Sequence, residues 1–412
     1  MNPGNQKLLP LKNKEFRFFI STRVCLTIAL QIQAVIAGWH IYKLTEDPLS
    51  LGLIGLAEAI PAISIALYAG HIADISSKRK ILFRSILVLL FCSFGLTVAS
   101  NDYFIIGFSS TWSINLMYFF IFLSGFARGF YAPAGFSFIS QLVEKDQLVT
   151  ASTLNSSSWQ IAAIFGPALG GLLYAWIGIT YTFGVVLVFI LLAMLCISAI
   201  KPKPVMSKMG AEKIGERLKA GLSYVFHNKV LLSAISLDLF AVLFGGAVAL
   251  LPVFANEILH AGPQGLGLLR AAPSLGASIT MIWLSVRQPF NRPGVALLFC
   301  VAAFGLCMIG FALSTSLYLS LFMLFLSGAF DSVSVVIRGN ILQLQTPDEM
   351  RGRVSAVNTM FIGSSNEIGA FESGLAARLL GTVPSVIFGG CMTLLVVGIT
   401  SVKSAALKKF KY

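Results

Sequence analysis

Residues 50–70, SLGLIGLAEAIPAISIALYAG, and residues 81–100, ILFRSILVLLFCSFGLTVAS, are two apolar runs joined by HIADISSKRK at residues 71–80. Each run is about as long as the ~20 residues a helix needs to cross the core of a bilayer. The joint carries Lys78, Arg79 and Lys80, with Arg84 just beyond it. Basic residues collect in the cytoplasmic loops of membrane proteins, so the stretch reads as a helical hairpin with its tip in the cytoplasm.

The rest of the chain extends this pattern. Of its 412 residues, 56% are hydrophobic and only 11% are charged, and the mean hydropathy is +0.83. A water-soluble domain of this size needs far more charge to cover its surface. Twelve spans are predicted, near 16–44, 50–70, 81–100, 115–141, 150–177 and 179–200, then 230–255, 264–286, 294–314, 317–345, 353–377 and 381–401. The first stretch, Phe16–Tyr42, is too long for a signal-peptide core and lacks a small-residue cleavage site.

Lys7, Lys12, Lys14 and Arg17 precede span 1, Arg287, Arg292, Arg351 and Arg353 lie in later even-to-odd connections, and Lys403, Lys408, Lys409 and Lys411 end the chain. The opposite loops, around 101–114, 177–180, 256–263 and 314–317, hold no Lys or Arg. Both termini are therefore expected in the cytoplasm, in a bacterial inner membrane. This placement accounts for most of the net charge of +13 without a nucleic-acid partner. The six cysteines fall inside apolar segments without a CxxC pair, and the four histidines are scattered, so neither a metal nor a cofactor is expected.

Residues 201–229 form the longest cytoplasmic connection. Within it Ile214, Leu218, Leu222 and Val225 share one helical face, while Glu212, Lys213, Glu216, Arg217 and Lys219 avoid it. This predicts an amphipathic linker helix at the membrane surface between two six-helix bundles, residues 1–200 and 230–412. The bundles are related. A shift of 203 residues matches Leu123-Ser124-Gly125 to Leu326-Ser327-Gly328, Ser152 and Asn155 to Ser355 and Asn358, and Gly166 and Gly171 to Gly369 and Gly374. A shift of 212 matches Pro61 in span 2 to Pro273 in span 8. Duplicated halves with the substrate path between them are the usual architecture of secondary transporters.

On these residues the chain resembles the major facilitator superfamily over nearly its whole length. Gly70-His71-Ile72-Ala73-Asp74 through Lys78-Arg79 is similar to that superfamily's loop 2–3 motif, departing from it at Ile75 and Ser77. Gly166-Pro167-Ala168-Leu169-Gly170-Gly171 in span 5 resembles the signature of the drug–proton antiporter branch, with Ala162 in place of its upstream glycine. Arg128 in span 4 falls where that branch carries an arginine. The run Ser365–Gly374 resembles the enterobactin-exporter and macrolide-efflux group. The resemblance implies an all-α fold of twelve transmembrane helices in two pseudo-symmetric bundles. It further implies export of a siderophore or drug, and a latch in which Gly70, Asp74 and Arg79 hold the cytoplasmic side closed against the start of span 11. It also implies that Gly166, Pro167, Gly170 and Gly171 seal span 5 against span 8 or 11.

Nine ionisable residues lie inside spans: Arg23, Glu58, Arg128, Asp238, Arg270, Asp331, Arg338, Glu367 and Glu372. A charge at a helix centre costs about 2.5–3.5 kcal/mol on insertion scales, and persists where it pairs or meets a watery cavity. Matching depth and the repeat relate Arg23 to Asp238, Glu58 to Arg270 and Arg128 to Asp331, which suggests acid–base partners across the two halves. A proton-coupling carboxylate needs desolvation and a cation that withdraws. Asp238 is the first candidate and Glu58 the second, followed by Glu367 and Glu372; a permanent structural pair is the competing reading for each. Arg79 can pair with a neighbouring acid, and Asp74 can sit near a helix N-terminus.

Gln31, Gln33, Trp39 and His40 in span 1, with Tyr131 and Trp159, are the candidates to line a central cavity, although most aromatics of such a protein face lipid or neighbouring helices. Such a lining suits a small amphiphilic organic molecule. The expected protein is a monomer in the bilayer that exchanges this substrate against protons. A lysophospholipid flippase of the same fold and a receptor or scaffold are the alternatives. A proton symporter lacks the Gly166–Gly171 motif. An enzyme is not expected, because no nucleophile–base pair, metal cluster or phosphate-binding loop is present.

Overall fold

A computed structural model describes residues 9–101, 109–204, 214–286, 292–347 and 350–410. Lys7, Arg287 and Lys411, three of the basic residues that orient the chain, lie outside the described residues. Among the described residues all regular elements are helices, and ten stretches are long and apolar enough to cross a membrane, one of them of double length; the twelve-helix fold fits them. Spans 1–4 are Lys14–Thr45, Pro48–Ile75, Lys78–Ala99 and Ser110–Phe138. Spans 8–12 are Gly262–Val286, Pro293–Leu313, Leu317–Gln345, Arg351–Leu380 and Thr382–Lys403.

Spans 5 and 6 form one helical run of 51 residues, Leu148–Ser198. At 1.5 Å per residue such a helix would reach about 76 Å, more than twice the ~30 Å hydrocarbon core. Gly178, at φ 75° and ψ 178°, breaks the run into two spans. Only glycine reaches that conformation without a steric cost. Span 7 departs from the single helix expected for it. Its α-helix Lys229–Gly245 ends at Gly246, and short 3₁₀, α and π segments continue to Ile258. The Ser373 hydroxyl of span 11 donates to the freed Gly246 carbonyl at 3.2 Å. Irregular backbone at membrane depth is tolerated where protein satisfies it in this way.

The chain folds as two compact units, residues 1–44 with 57–210, and residues 45–56 with 211–412. In the first, Phe16, Phe19, Phe138 and Phe183 are fully buried, with Phe19 and Phe138 edge to face at 5.8 Å. In the second, Leu231, Leu237, Val301, Ile337, Ile341 and Val357 belong to one core cluster. The N-terminal end of span 2 belongs to this second unit. Gly52 approaches the backbone of Phe371 in span 11, and Asp47 pairs with Arg378 at 3.3 Å.

The linker helix forms over Ile214–His227. Glu212, Lys213 and the side chains of Ile214 to Lys219 lie outside the described residues. Val225 is buried in the core cluster and Leu222 packs against it. Gly221 meets the Arg353 carbonyl and Val357 of span 11, and the Tyr224 hydroxyl donates to the Gln345 carbonyl at 2.7 Å. The apolar face thus rests on the ends of spans 10 and 11, where protein supplies the burial that membrane lipid was expected to supply.

Candidate functional site

A buried ion pair joins spans 7 and 10. Arg338 Nη1 meets Asp238 Oδ1, with only 5% and 9% of the two side chains accessible. The sequence related Asp238 to Arg23 in the opposite half; within its own unit Asp238 meets Arg338. Asp238 lies nine residues after the start of span 7 at Lys229, and Arg338 seven residues before the end of span 10 at Gln345. Antiparallel neighbours in one bundle meet at such matching depths. Arg23 lies beside Tyr131 of its own half.

A second pair joins spans 2 and 4, between Arg128 Nη1 and Glu58 Oε1. The helix crossing beneath it explains the meeting. Gly125 has no side chain, and a Cβ there would lie 2.5 Å from the Glu58 carbonyl oxygen and from Pro61 Cγ. Glu58 is three residues before Pro61 and Arg128 three after Gly125, so both project from the same crossing. The relations of Glu58 to Arg270 and of Arg128 to Asp331 describe positional equivalence, and Glu58 finds its contact partner in its own half.

Spans 8 and 10 repeat this crossing, with Gly328 lying against the Pro273 carbonyl and Gly276 against that of Phe325. Arg270 is three residues before Pro273 and Asp331 three after Gly328. Glu367 lies close to Gly55, where a Cβ would be 3.5 Å from its Oε2. Glu372 is half-buried.

Among the described residues no acid pairs with Arg79. Its Nε donates to the Ile197 carbonyl at 3.3 Å and its Nη2 to the Ser198 carbonyl at 2.6 Å. The last carbonyls of a helix lack intrahelical partners and carry partial negative charge, which favours a cation at the end of span 6. The Glu15 carboxylate lies nearby, accepting from the Lys201 amide at 3.1 Å and pairing with Lys203 at 2.5 Å. The side chain of Asp74 lies outside the described residues. Gly70 has nothing within 4 Å of where a Cβ would stand. Arg79→Ala is therefore expected to lower stability by about 1 kcal/mol, read as a lower thermal midpoint of purified protein. A residue acting only as a latch would alter transport and leave that midpoint in place.

The Gly166–Gly171 motif packs within its own bundle. A Cβ on Gly166 would lie 2.6 Å from Gln31 Cβ, and one on Gly170 3.1 Å from Ile32 Cα. Span 1 thus occupies the glycine face that the resemblance assigned to span 8 or 11. Pro167 and Gly171 are buried beside it. Among the cavity candidates, Gln33 is buried and accepts the Ser93 hydroxyl of span 3 at 2.6 Å. Trp39 is buried edge to face with Tyr174 at 6.5 Å. His40 is buried, Gln31 half-buried and Trp159 exposed. Trp39 and Gln33 are thus packing residues of the first unit. Sequence reasoning noted Arg338 without a partner, and depth along span 10 was the signal that would have found Asp238.

Paired charges in two duplicated six-helix units, with no extensive soluble portion, define a secondary membrane transporter. The chain belongs to the major facilitator superfamily, matching the family described as "Transmembrane secretion effector" over residues 5–411. Enterobactin exporter EntS of Shigella flexneri is 27% identical over 286 residues, covering 68% of this chain and 67% of the exporter. EntS of Escherichia coli O1:K1 matches with the same identity and coverage. Among solved structures, a POT family transporter in complex with a thioalcohol-conjugated peptide superposes with a TM-score of 0.73 at 12% identity, covering 96% of each chain. The D-xylose-proton symporter superposes at 0.72 and 14%, covering 93% of this chain and 96% of its own. At these identities the solved structures establish the fold alone.

Proposed function

We propose that this protein exports a catecholate siderophore, or an amphiphilic organic molecule of similar character, by proton antiport with alternating access. The observation that carries the reading is the relationship to enterobactin exporters across two thirds of both chains. Intramembrane acids and bases support coupling to protons, since charges held at that depth are retained for ion pathways or switching pairs. Asp238 and Glu58 lie in ion pairs, Arg23 beside Tyr131, and Arg270, Asp331, Glu367 and Glu372 complete the proposed charge network. Gly70, Asp74 and Arg79 are proposed to fasten the cytoplasmic side in part of the cycle.

The protein acts as a monomer in the bacterial inner membrane with both termini in the cytoplasm. Large aromatics support the placement of the span ends at an interface. Trp112, Trp176, Tyr181 and Tyr318 are all strongly exposed and stand at the span ends opposite the basic clusters, where an interfacial belt forms.

The test uses an efflux-deficient bacterial host preloaded with enterobactin, macrolides or cationic dyes. Release of enterobactin is expected to be faster with the protein than without it, and to be abolished by a protonophore. Protonophore-insensitive release would remove proton antiport. Absence of release across the panel would remove export and make flipping of labelled lysophospholipid the next measurement.

A further inference from the structure

The two repeat-related helix crossings carry the same pair of charges in exchanged positions. In the first unit the acid, Glu58, precedes Pro61 on span 2, and the base, Arg128, follows Gly125 on span 4. In the second unit the base, Arg270, precedes Pro273 on span 8, and the acid, Asp331, follows Gly328 on span 10. The spacing is three residues in all four cases. Backbone contact marks both crossings, with Gly125 on the Glu58 carbonyl and Gly328 on that of Pro273, three residues further along the repeat, so the exchanged charges flank related but not identical contacts.

The outcomes differ. Glu58 and Arg128 are ion-paired. No hydrogen bond or ion pair joins Arg270 or Asp331 to any described residue, and the Arg270 Nε is buried without a partner. Asp238, the first candidate from sequence, is engaged with Arg338. Breaking a buried pair by removing one partner's charge costs about 3–5 kcal/mol, which disfavours an acid that must discharge in every cycle. Asp331 is joined to no described residue, and Arg270 of span 8 is its potential counter-cation across the crossing.

We propose that Asp331 is the carboxylate that carries the coupled proton, with Arg270 as the cation that replaces the proton when it leaves. This rests on the antiport reading above. The step is a simple protonation: the carboxylate takes up one proton and becomes a neutral acid, and no other bond changes. The charged acid draws in Arg270, whereas the neutral acid releases it. Proton occupancy thereby controls whether Arg270 and Asp331 meet beside the span 8–span 10 crossing, as Glu58 and Arg128 do beside the crossing of spans 2 and 4.

Few other groups compete around span 10. Span 9 offers only the thiols of Cys300 and Cys307, and span 7 has Asp238, itself paired with Arg338, with Lys229 and Glu257 at its two ends. Span 11 brings Arg351, Arg353, Glu367, Glu372 and Arg378, the last paired with Asp47. Glu372 is the one rival acid without a partner among the described residues, and its position opposite no matched base separates it from Asp331.

The experiment adds enterobactin to purified protein in lightly buffered detergent and follows proton release with an indicator dye, with binding measured by equilibrium dialysis. Wild type is expected to release about one proton per molecule bound, the minimum for antiport. Asp331→Asn is expected to bind without release, and Asp331→Glu to restore it. Release by Asp331→Asn at the wild-type level, or its loss in Glu372→Gln alone, overturns the proposal. Binding to wild type with no proton release instead overturns the antiport reading beneath it.

Arg270→Gln gives an independent readout if Asp331→Asn does not fold. Removing a cation makes the neighbouring acid hold its proton to higher pH, so the midpoint for substrate-linked release should move up by about 1 pH unit or more. An unchanged midpoint overturns the pairing.

Discussion

Cells making Arg338→Met are expected to hold several-fold less folded transporter in their membranes than cells making wild type, and Asp238→Leu/Arg338→Met together should recover most of it. The single change leaves the Asp238 carboxylate buried beside an apolar side chain, in a pair of which less than a tenth of either side chain is accessible. Stranding one partner of a buried pair costs about 3–5 kcal/mol, whereas replacing both by apolar groups of similar volume is often neutral or stabilising. Membrane-extracted protein followed by fluorescence-detected size exclusion, with thermal challenge of the same samples, gives the comparison. Equal loss in the single and double variants would show that this pair is required as a pair of charges, in transport or in insertion, and not as mutual neutralisation.

Gly328→Ala is expected to give the next largest effect, with a loss of more than about 2 kcal/mol. Its added methyl would be driven into the carbonyl of Pro273 and close to its Cα. Backbone cannot rotate away as a side chain can, so spans 8 and 10 would have to separate. Overpacking typically costs about 1–3 kcal/mol even where side chains yield. Gly363 and Gly398 are the controls, because a Cβ on either meets nothing within 4 Å. Alanine there should be tolerated or add a few tenths of a kcal/mol through helix propensity. Thermal midpoints of the three purified variants decide the matter; a Gly328→Ala protein as stable as its controls would mean that the crossing can open freely.

The balance between sequence and structure differs from element to element. Spans 3, 9, 10 and 12 were legible almost to the residue, since an uninterrupted apolar run of bilayer length has few other solutions. Span 7 was not, because Gly245 and Gly246 are ordinary components of an apolar helix until the neighbouring Ser373 is in place to accept the disruption. The amphipathic face of the linker helix was equally plain, but periodicity says only that a face will be buried. Whether lipid or the ends of spans 10 and 11 would bury it depended on packing. Arg79 shows the same limit: its charge was visible, while the carbonyls of Ile197 and Ser198 come within reach only when span 6 ends beside span 3.

What the sequence determined by itself was the membrane environment, the number of spans, the duplication and the identity of the charges inside the bilayer. These follow from composition, length and internal repetition, all of which are local or additive along the chain. Only the tertiary structure decided which charge meets which. The repeat relates Glu58 to Arg270 and Arg128 to Asp331 by equivalence, yet contact depends on which helices cross and at what depth. The glycine–proline crossings of spans 2 and 4 and of spans 8 and 10 make that choice, since two helices can bring side chains three residues from a contact together only after their backbones have touched.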